Sequence, residues 1–175
     1  MNRFTSLIIA VVSTACTVLG EDASRFWGPE IEGYRISIQA DKGSFACSEP
    51  IKLAIVLKNS ASTTGRFSMT GIPEIDYPAS ILLPSPSWLP FRHQASLTDE
   101  GRRRTDQRRI MSFGGGPFRP GDERMVQLVL NTIYDMHWPG EYTVTVSAQV
   151  PRRYEKGDVT LTSNQLKLTV EPCKP

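Results

Sequence analysis

Apolar and polar residues alternate in several separate stretches of this chain, and that pattern predicts β-strands. The alternation is clearest over 141–148, where Tyr142, Val144, Val146 and Ala148 would share one face of a half-buried strand. The other predicted strands lie at 34–40, 51–58, 66–69, 124–130, 158–161 and 165–170. No stretch shows the 3.6-residue period of a long helix. The sequence therefore predicts an all-β fold.

The central part of the chain, 71–120, breaks this regularity. Prolines recur through its first half and exclude long central strands, because proline cannot donate to a strand ladder. We expect short edge strands at 80–83 and 91–97, a charged loop over 98–109 and a flexible glycine tract at 114–116. The prediction is a long irregular insertion within the β fold.

The first twenty residues have the features of a cleavable signal peptide. Arg3 precedes an apolar run that begins at Leu7, and Gly20 offers a small residue at the cleavage point. The predicted organisation is a signal peptide over 1–20, an extended leader over 21–32 and one β-sandwich domain over 33–175. Two alternatives stay open, namely an uncleaved membrane anchor and lipidation at Cys16.

Export changes both the charge and the cysteine count. Loss of Arg3 with the signal peptide leaves 19 basic residues (20 minus 1) against 18 acidic ones, a balance that excludes a general nucleic-acid binder. Loss of Cys16 leaves Cys47 and Cys173, and a lone pair in an oxidising compartment is normally bridged. We predict that disulfide, with two unrelated buried thiols as the alternative.

Several of these segments resemble bacterial extracellular immunoglobulin-like modules. The residues that carry the resemblance are 49–59, 120–122, 134–135, 139–144 and 162–164. The resemblance implies an antiparallel β-sandwich of Greek-key type with the insertion in its middle. It also implies that the second strand starts where the last one ends, which would bring Cys47 and Cys173 together. Tyr142 becomes a candidate tyrosine-corner residue.

The sequence offers no defensible catalytic, metal or cofactor site. His93 and His137 are far apart, and although Asp135 lies close to His137, neither histidine shows the ligand spacing of a zinc site. A Ser-His-Asp triad is recognised by geometry and stays open. The glycine tract lacks the Gly-Lys-Ser/Thr ending of a phosphate loop. We therefore expect no enzyme and no cofactor.

An arginine-rich segment is the most distinctive candidate for binding. Charge runs are usually solvated, so we expect a solvated loop partly neutralised by Asp99, Glu100 and Asp106. The alternative is anion binding, because guanidinium groups pair bidentately with carboxylates, sulfates and phosphates. A second basic turn, 152–156, would join it if both lay at one end of the sandwich, and exposed aromatic rings could stack on sugars. The arginines are Arg102, Arg103, Arg104, Arg108 and Arg109, and the aromatic residues are Phe26, Trp27, Trp88 and Trp138.

Three hypotheses for function follow. The first is an exported, envelope-associated, non-enzymatic module for structure or protein interaction. The second is a binder of glycans or anionic polymers through the arginine-rich segment, and the third is a protease inhibitor that presents a loop. The expected partner is an unknown protein or an anionic polysaccharide and not a nucleic acid. Contact with a membrane would require the uncleaved signal or a lipidated Cys16.

Overall fold

The alternating stretches form strands in the computed structural model, which describes residues 26–69, 73–84, 94–106 and 113–173. The predicted signal peptide, Cys16 and the start of the leader lie outside the described residues. The elements are β1 (Tyr34–Ala40), β2 (Ser44–Phe45), β3 (Lys52–Asn59), β4 (Gly65–Met69), α1 (Pro73–Asp76), β5 (Ala79–Leu82), α2 (Asp99–Asp106), β6 (Phe113–Phe118), β7 (Glu123–Val129), α3 (Leu130–Ile133), β8 (Gly140–Pro151), β9 (Asp158–Thr162) and β10 (Leu166–Val170).

Three antiparallel strands form the first sheet in the order β1-β3-β7. Tyr34 of β1 lies opposite Asn59 of β3, and Lys52 at the other end of β3 lies opposite Val129 of β7. Alternate side chains point to the same face of a strand. The inward residues Ile36, Leu53, Ile55 and Leu57 are fully buried, which is the alternation that the sequence predicted for these two strands.

The second sheet has the order β2-β10-β8-β5, and β9 pairs with the far half of β8. Val144 of the long strand β8 pairs with Leu166 on one side and with Ile81 on the other. All of these pairs are antiparallel except the short parallel pair of β2 and β10. β4 and β6 form a separate two-stranded ladder. The prediction of a mostly β fold with antiparallel sheets is confirmed.

One hydrophobic core lies between the sheets and extends under the central segment. Tyr34 and Phe118 stack with ring centroids 6.1 Å apart. The Tyr142 ring is fully buried, and its hydroxyl donates a hydrogen bond to the Trp138 carbonyl at 2.7 Å. A buried ring bonded to backbone a few residues upstream is the arrangement expected of a tyrosine corner.

The described part of the leader is integrated into the sandwich. The Gly28 amide donates to the Ile36 carbonyl at 2.9 Å, and the Ser37 hydroxyl donates to the Phe26 carbonyl at 2.8 Å. A Cβ on Gly28 would lie 2.0 Å from the Thr162 carbonyl oxygen, so only glycine fits between the two sheets here. The leader therefore fills one edge of the sandwich.

Two local predictions in the central insertion are wrong. The predicted charged loop contains the helix α2, which Thr98 caps by accepting a hydrogen bond from the Gly101 amide at 3.0 Å. Acidic residues occupy its first turn and arginines its last, which suits the helix dipole. The glycine tract 114–116 lies within strand β6, where it pairs with β4. Of the predicted strand 91–97, only isolated bridges at Gln94 and Leu97 fall within the described residues.

No helix among the described residues is long and apolar enough to cross a membrane.

Candidate functional site

The predicted disulfide joins Cys47 to Cys173, with their Cα atoms 4.9 Å apart. The parallel pairing of β2 with β10 brings the two cysteines together, and it continues beyond the strands through a hydrogen bond from the Glu171 amide to the Phe45 carbonyl at 2.8 Å. The bridge spans 126 residues of sequence. It closes one end of the sandwich, which we call the disulfide end.

The described arginines of the predicted anion-binding segment are already paired with carboxylates of their own helix. Arg102 forms an ion pair with Asp99. Arg103 donates to both oxygens of Glu100 at 2.8 and 2.7 Å, and Arg104 donates to the same carboxylate at 2.7 Å. Arg108 and Arg109 lie outside the described residues. Anion binding by this segment stays a prediction, and its three described members are locally neutralised.

Glu100 and Glu74 make this arginine cluster part of the scaffold. Hydrogen bonds from Arg103 and Arg104 lower the pKa of Glu100 to about 2. Arg104 also reaches the Glu74 carboxylate on α1 at 3.3 Å, and Glu74 is only 3% exposed. A buried carboxylate needs a charged partner to offset its lost hydration. Arg104 therefore ties α2 to α1, a structural role that the sequence did not reveal.

The second basic turn lies at the opposite end of the sandwich. The strand registers show this. Pro151 pairs with Asp158 in the second sheet, and Tyr34 pairs with Asn59 in the first. Both pairs lie at the end of their sheet that is remote from the disulfide. Helix α2 packs against α3, next to the disulfide end. The two basic segments therefore do not share one face, and no joint site forms from their described residues.

Arg153 in that turn holds three chain segments together. Its guanidinium donates to the Glu32 carbonyl at 2.6 Å, to the Thr63 carbonyl and hydroxyl at 3.0 and 2.9 Å, and to the Asn59 side-chain oxygen at 2.6 Å. It lies over the Tyr34 ring, 4.5 Å from the centroid. Every acceptor of the guanidinium group is a neutral oxygen, and the Glu32 carboxylate accepts a hydrogen bond from the Arg153 backbone amide at 3.3 Å. We call this end the Arg153 end.

A groove opens beside Arg153. Its first part, about 410 Å³, is lined by Tyr34 and by residues 63–66 and 151–154. A second part of about 530 Å³ continues past Arg66 to residues 116–117. Tyr154 stands at its rim with 87% of its surface exposed. Only the basic character of 152–156 hinted at this groove, because its other wall comes from β4, some 90 residues earlier.

His137 and Asp135 contact each other at the disulfide end. The two side chains are joined through Nδ1 of the histidine, and they line a cavity of about 180 Å³ together with Ser48. Ser48 has a φ of +69°, and its hydroxyl contacts the Cys47 sulfur at 3.7 Å. No Ser48–His137 hydrogen bond completes a triad among the described residues. Within the same residues, no group of three or more metal-ligating side chains occurs.

The predicted aromatic platform is dispersed. Phe26 is 83% exposed at the start of the described leader, whereas Trp27 carries the Lys58 ammonium 5.5 Å above its ring. Trp138 is 58% exposed and packs on the His137 ring at 4.7 Å. Trp88 and His93 lie outside the described residues. Tyr154, which was not among the predicted aromatic residues, is also exposed and lines the groove beside Arg153.

No protein-family model and no curated protein sequence matches this chain. Its fold is similar to part of the β-glucosidase from Listeria innocua in complex with isofagomine (11% identity, TM-score 0.42), covering 80% of this chain and 16% of that chain. It is also similar to part of the alkylpurine DNA glycosylase AlkC of Pseudomonas fluorescens, with 12% identity and a TM-score of 0.41, covering 78% of this chain and 30% of that chain. A third similarity is to the C-terminal domain of wzt, with 13% identity and a TM-score of 0.44, covering 87% of this chain and 81% of that chain. At these TM-scores none of the three carries a functional argument.

Proposed function

We propose that this protein is an exported, non-enzymatic module of the cell envelope that binds a partner at the Arg153 end. The observation that carries the proposal is the open groove beside Arg153, whose walls come from separate parts of the chain and are locked by hydrogen bonds. A preorganised surface loses little conformational entropy on binding. Such a groove suits a binding module better than a purely structural one.

The disulfide and the strand pairing support the finer parts of this proposal. A bridge across 126 residues is characteristic of proteins that fold in an oxidising compartment. The tyrosine corner at Tyr142 and the return of the last strand beside the short second one favour an immunoglobulin-like Greek key. The inhibitor hypothesis depends on a central loop that includes 85–93 and 107–112, outside the described residues, and it stays a prediction.

Retention on cell envelopes tests the proposal. The mature, tagged protein is incubated with washed envelopes from its source organism, and the bound fraction is compared with that of two triple variants. One variant removes Arg66, Arg152 and Tyr154 at the Arg153 end, and the control removes Arg102, Arg103 and Trp138 near the disulfide end. We expect the first variant to lose retention and the control to keep it. No retention of the wild type, or equal loss in both variants, would contradict the proposal.

A further inference from the structure

We infer that the groove at the Arg153 end binds an acidic polysaccharide, whose anionic groups pair with Arg66 and Arg152 while a sugar ring packs on Tyr154. This inference rests on the proposed function, because it names the class of partner for that same surface. It differs from the sequence hypothesis, which placed anion binding in the arginines of α2. Three observations carry it, and they concern charge, the exposed ring and the shape of the groove.

The charged residues that line the groove are Arg66, Arg152 and Arg153. The Arg153 guanidinium donates to neutral oxygens, and the Glu32 carboxylate beside it accepts a hydrogen bond from the Arg153 backbone amide at 3.3 Å. Arg66 is exposed and has no carboxylate partner among the described residues. Arg152 pairs only with the exposed Glu155 at 3.0 Å, and such surface pairs are weak and exchangeable. An anion can therefore engage Arg66 and Arg152 without displacing a buried contact.

The fixed position of Arg153 prepares the floor of the groove. A Cβ on Gly65 would lie 1.8 Å from the Tyr34 hydroxyl, so the backbone of β4 sits directly against that ring. The Tyr34 ring in turn lies beneath the Arg153 guanidinium. This stack holds the Arg153 guanidinium at the base of the groove, where its charge attracts anions while its hydrogen bonds keep it in place. The exposed side chains of Arg66 and Arg152 supply further hydrogen-bond donors.

The rim suits a saccharide better than an acidic peptide. Tyr154 presents an amphipathic ring with 87% of its surface exposed, and a tyrosine can pack its face on an apolar surface while its hydroxyl stays hydrogen-bonded. Thr63 and Thr64 add hydroxyl groups that can exchange hydrogen bonds with sugar hydroxyls. The two parts of the groove adjoin along Thr64, Gly65 and Arg66, and both are open to solvent. Adjoining open cavities suit a chain of sugars better than a single enclosed ring.

Binding to defined polysaccharides tests the inference. The mature, disulfide-bonded protein is titrated with polygalacturonate, heparin, polyglutamate and neutral dextran at about 50 mM and about 250 mM NaCl, because salt screens exposed charges. The variants are R66A/R152A and Y154A. The matched control, R102A/R103A, removes the same two positive charges from α2. All altered side chains are at the surface, and circular dichroism verifies that each variant is folded.

We expect polygalacturonate or heparin to bind and dextran not to bind. R66A/R152A should weaken binding by roughly tenfold or more, as the loss of one or two charge-assisted hydrogen bonds implies. Y154A should also weaken it, while R102A/R103A stays within about twofold of the wild type, since its arginines are already paired. The preferred polymer identifies carboxylate or sulfate as the anionic group.

Three results of these titrations would overturn the inference, and envelope retention provides a further check. One is that neither acidic polysaccharide binds, and another is that the control loses as much affinity as R66A/R152A. The third is tight binding of polyglutamate that Y154A leaves unchanged, which would indicate an acidic protein as the ligand. Envelope retention that protease treatment abolishes would reject the polysaccharide and leave the proposed function standing. Absence of retention would reject both.

Discussion

Replacement of Arg153 by alanine should destabilise the fold far more than the same change at its neighbour Arg152. In Arg153→Ala, the carbonyl of Glu32 and the side-chain oxygen of Asn59 each lose a charged donor at 2.6 Å. Asn59 is fully buried, so water cannot replace that donor, and its side-chain oxygen keeps only the hydrogen bond from the Ala61 amide at 3.1 Å. The change also removes the cation–π contact with Tyr34.

The magnitude follows from these contacts. A buried hydrogen bond from a charged donor contributes about 1.5–3 kcal/mol, and the cation–π contact adds about 0.5–1 kcal/mol. The Thr63 acceptors are exposed and can bind water instead, so they add little. We expect Arg153→Ala to lower the free energy of unfolding by about 3 kcal/mol. Arg152→Ala removes only an exposed ion pair and should cost less than about 1 kcal/mol.

Urea unfolding followed by tryptophan fluorescence measures both changes, and an unaltered m-value keeps the comparison valid. Arg153→Lys retains the charge but not the planar set of donors, so it should restore only part of the loss. If Arg153→Ala and Arg152→Ala proved equally stable, or if lysine restored full stability, then Arg153 would not hold the three segments together in the way that we describe.

Three further predictions concern the disulfide end. Cys47→Ser/Cys173→Ser should lower the free energy of unfolding by up to about 5 kcal/mol, from the loop entropy of a 126-residue separation, as measured by urea unfolding. Gly101→Ala should destabilise by about 1–3 kcal/mol although alanine favours helices, because its Cβ would lie 2.2 Å from the Ile133 carbonyl oxygen. The pKa of Glu100 is lowered in the folded protein. The ionised Glu100 side chain therefore contributes its full stabilisation of the fold above the usual pKa of 4.5, and this stabilisation is lost as pH falls towards about 2. Glu100→Gln should flatten the decline of the melting temperature over that pH range.

Each of these predictions has its own control or contrary result. Gly43→Ala serves as the control for Gly101→Ala, because no atom lies within 4 Å of a Cβ placed there. Equal stability of both glycine variants would show that α2 can move away from α3. If Cys47→Ser/Cys173→Ser were as stable as the disulfide-bonded protein, the loop-entropy argument would be wrong. For Glu100, an unchanged acid profile in Glu100→Gln would assign the acid sensitivity to other carboxylates.

The β framework could be predicted from the sequence because its signal is local. Alternation over 141–148 fixes which face of β8 is buried, and the predicted pairing of Cys47 with Cys173 is present in the structure. The helix α2 was also within reach, since Thr98 followed by two acids and three arginines has the order of a capped helix. The charge density of that segment concealed the pattern, and the analysis of periodicity favoured a loop.

The candidate site could not be predicted in the same way, because its contacts are remote in sequence. Arg153 bonds to Glu32, Asn59 and Thr63, which precede it by 121, 94 and 90 residues. Nothing in the local pattern of Arg152 and Arg153 tells which of them is anchored and which faces solvent. Only the sheet registers show that this turn meets β4 and lies opposite the disulfide. By contrast, the pairing of the α2 arginines with their own carboxylates is local, at spacings of three and four residues, and the sequence had already indicated it as one interpretation of this segment.

An NMR titration of isotope-labelled residues 21–175 with polygalacturonate oligomers tests most directly whether the Arg153 end is the binding surface. We expect amide signals of 63–66 and 152–154 to shift together in a saturable way, while those of Ser48 and His137 stay in place. Shifts that concentrate around Ser48 and His137, or an absence of saturable shifts anywhere, would contradict the claim that the Arg153 end is the binding surface.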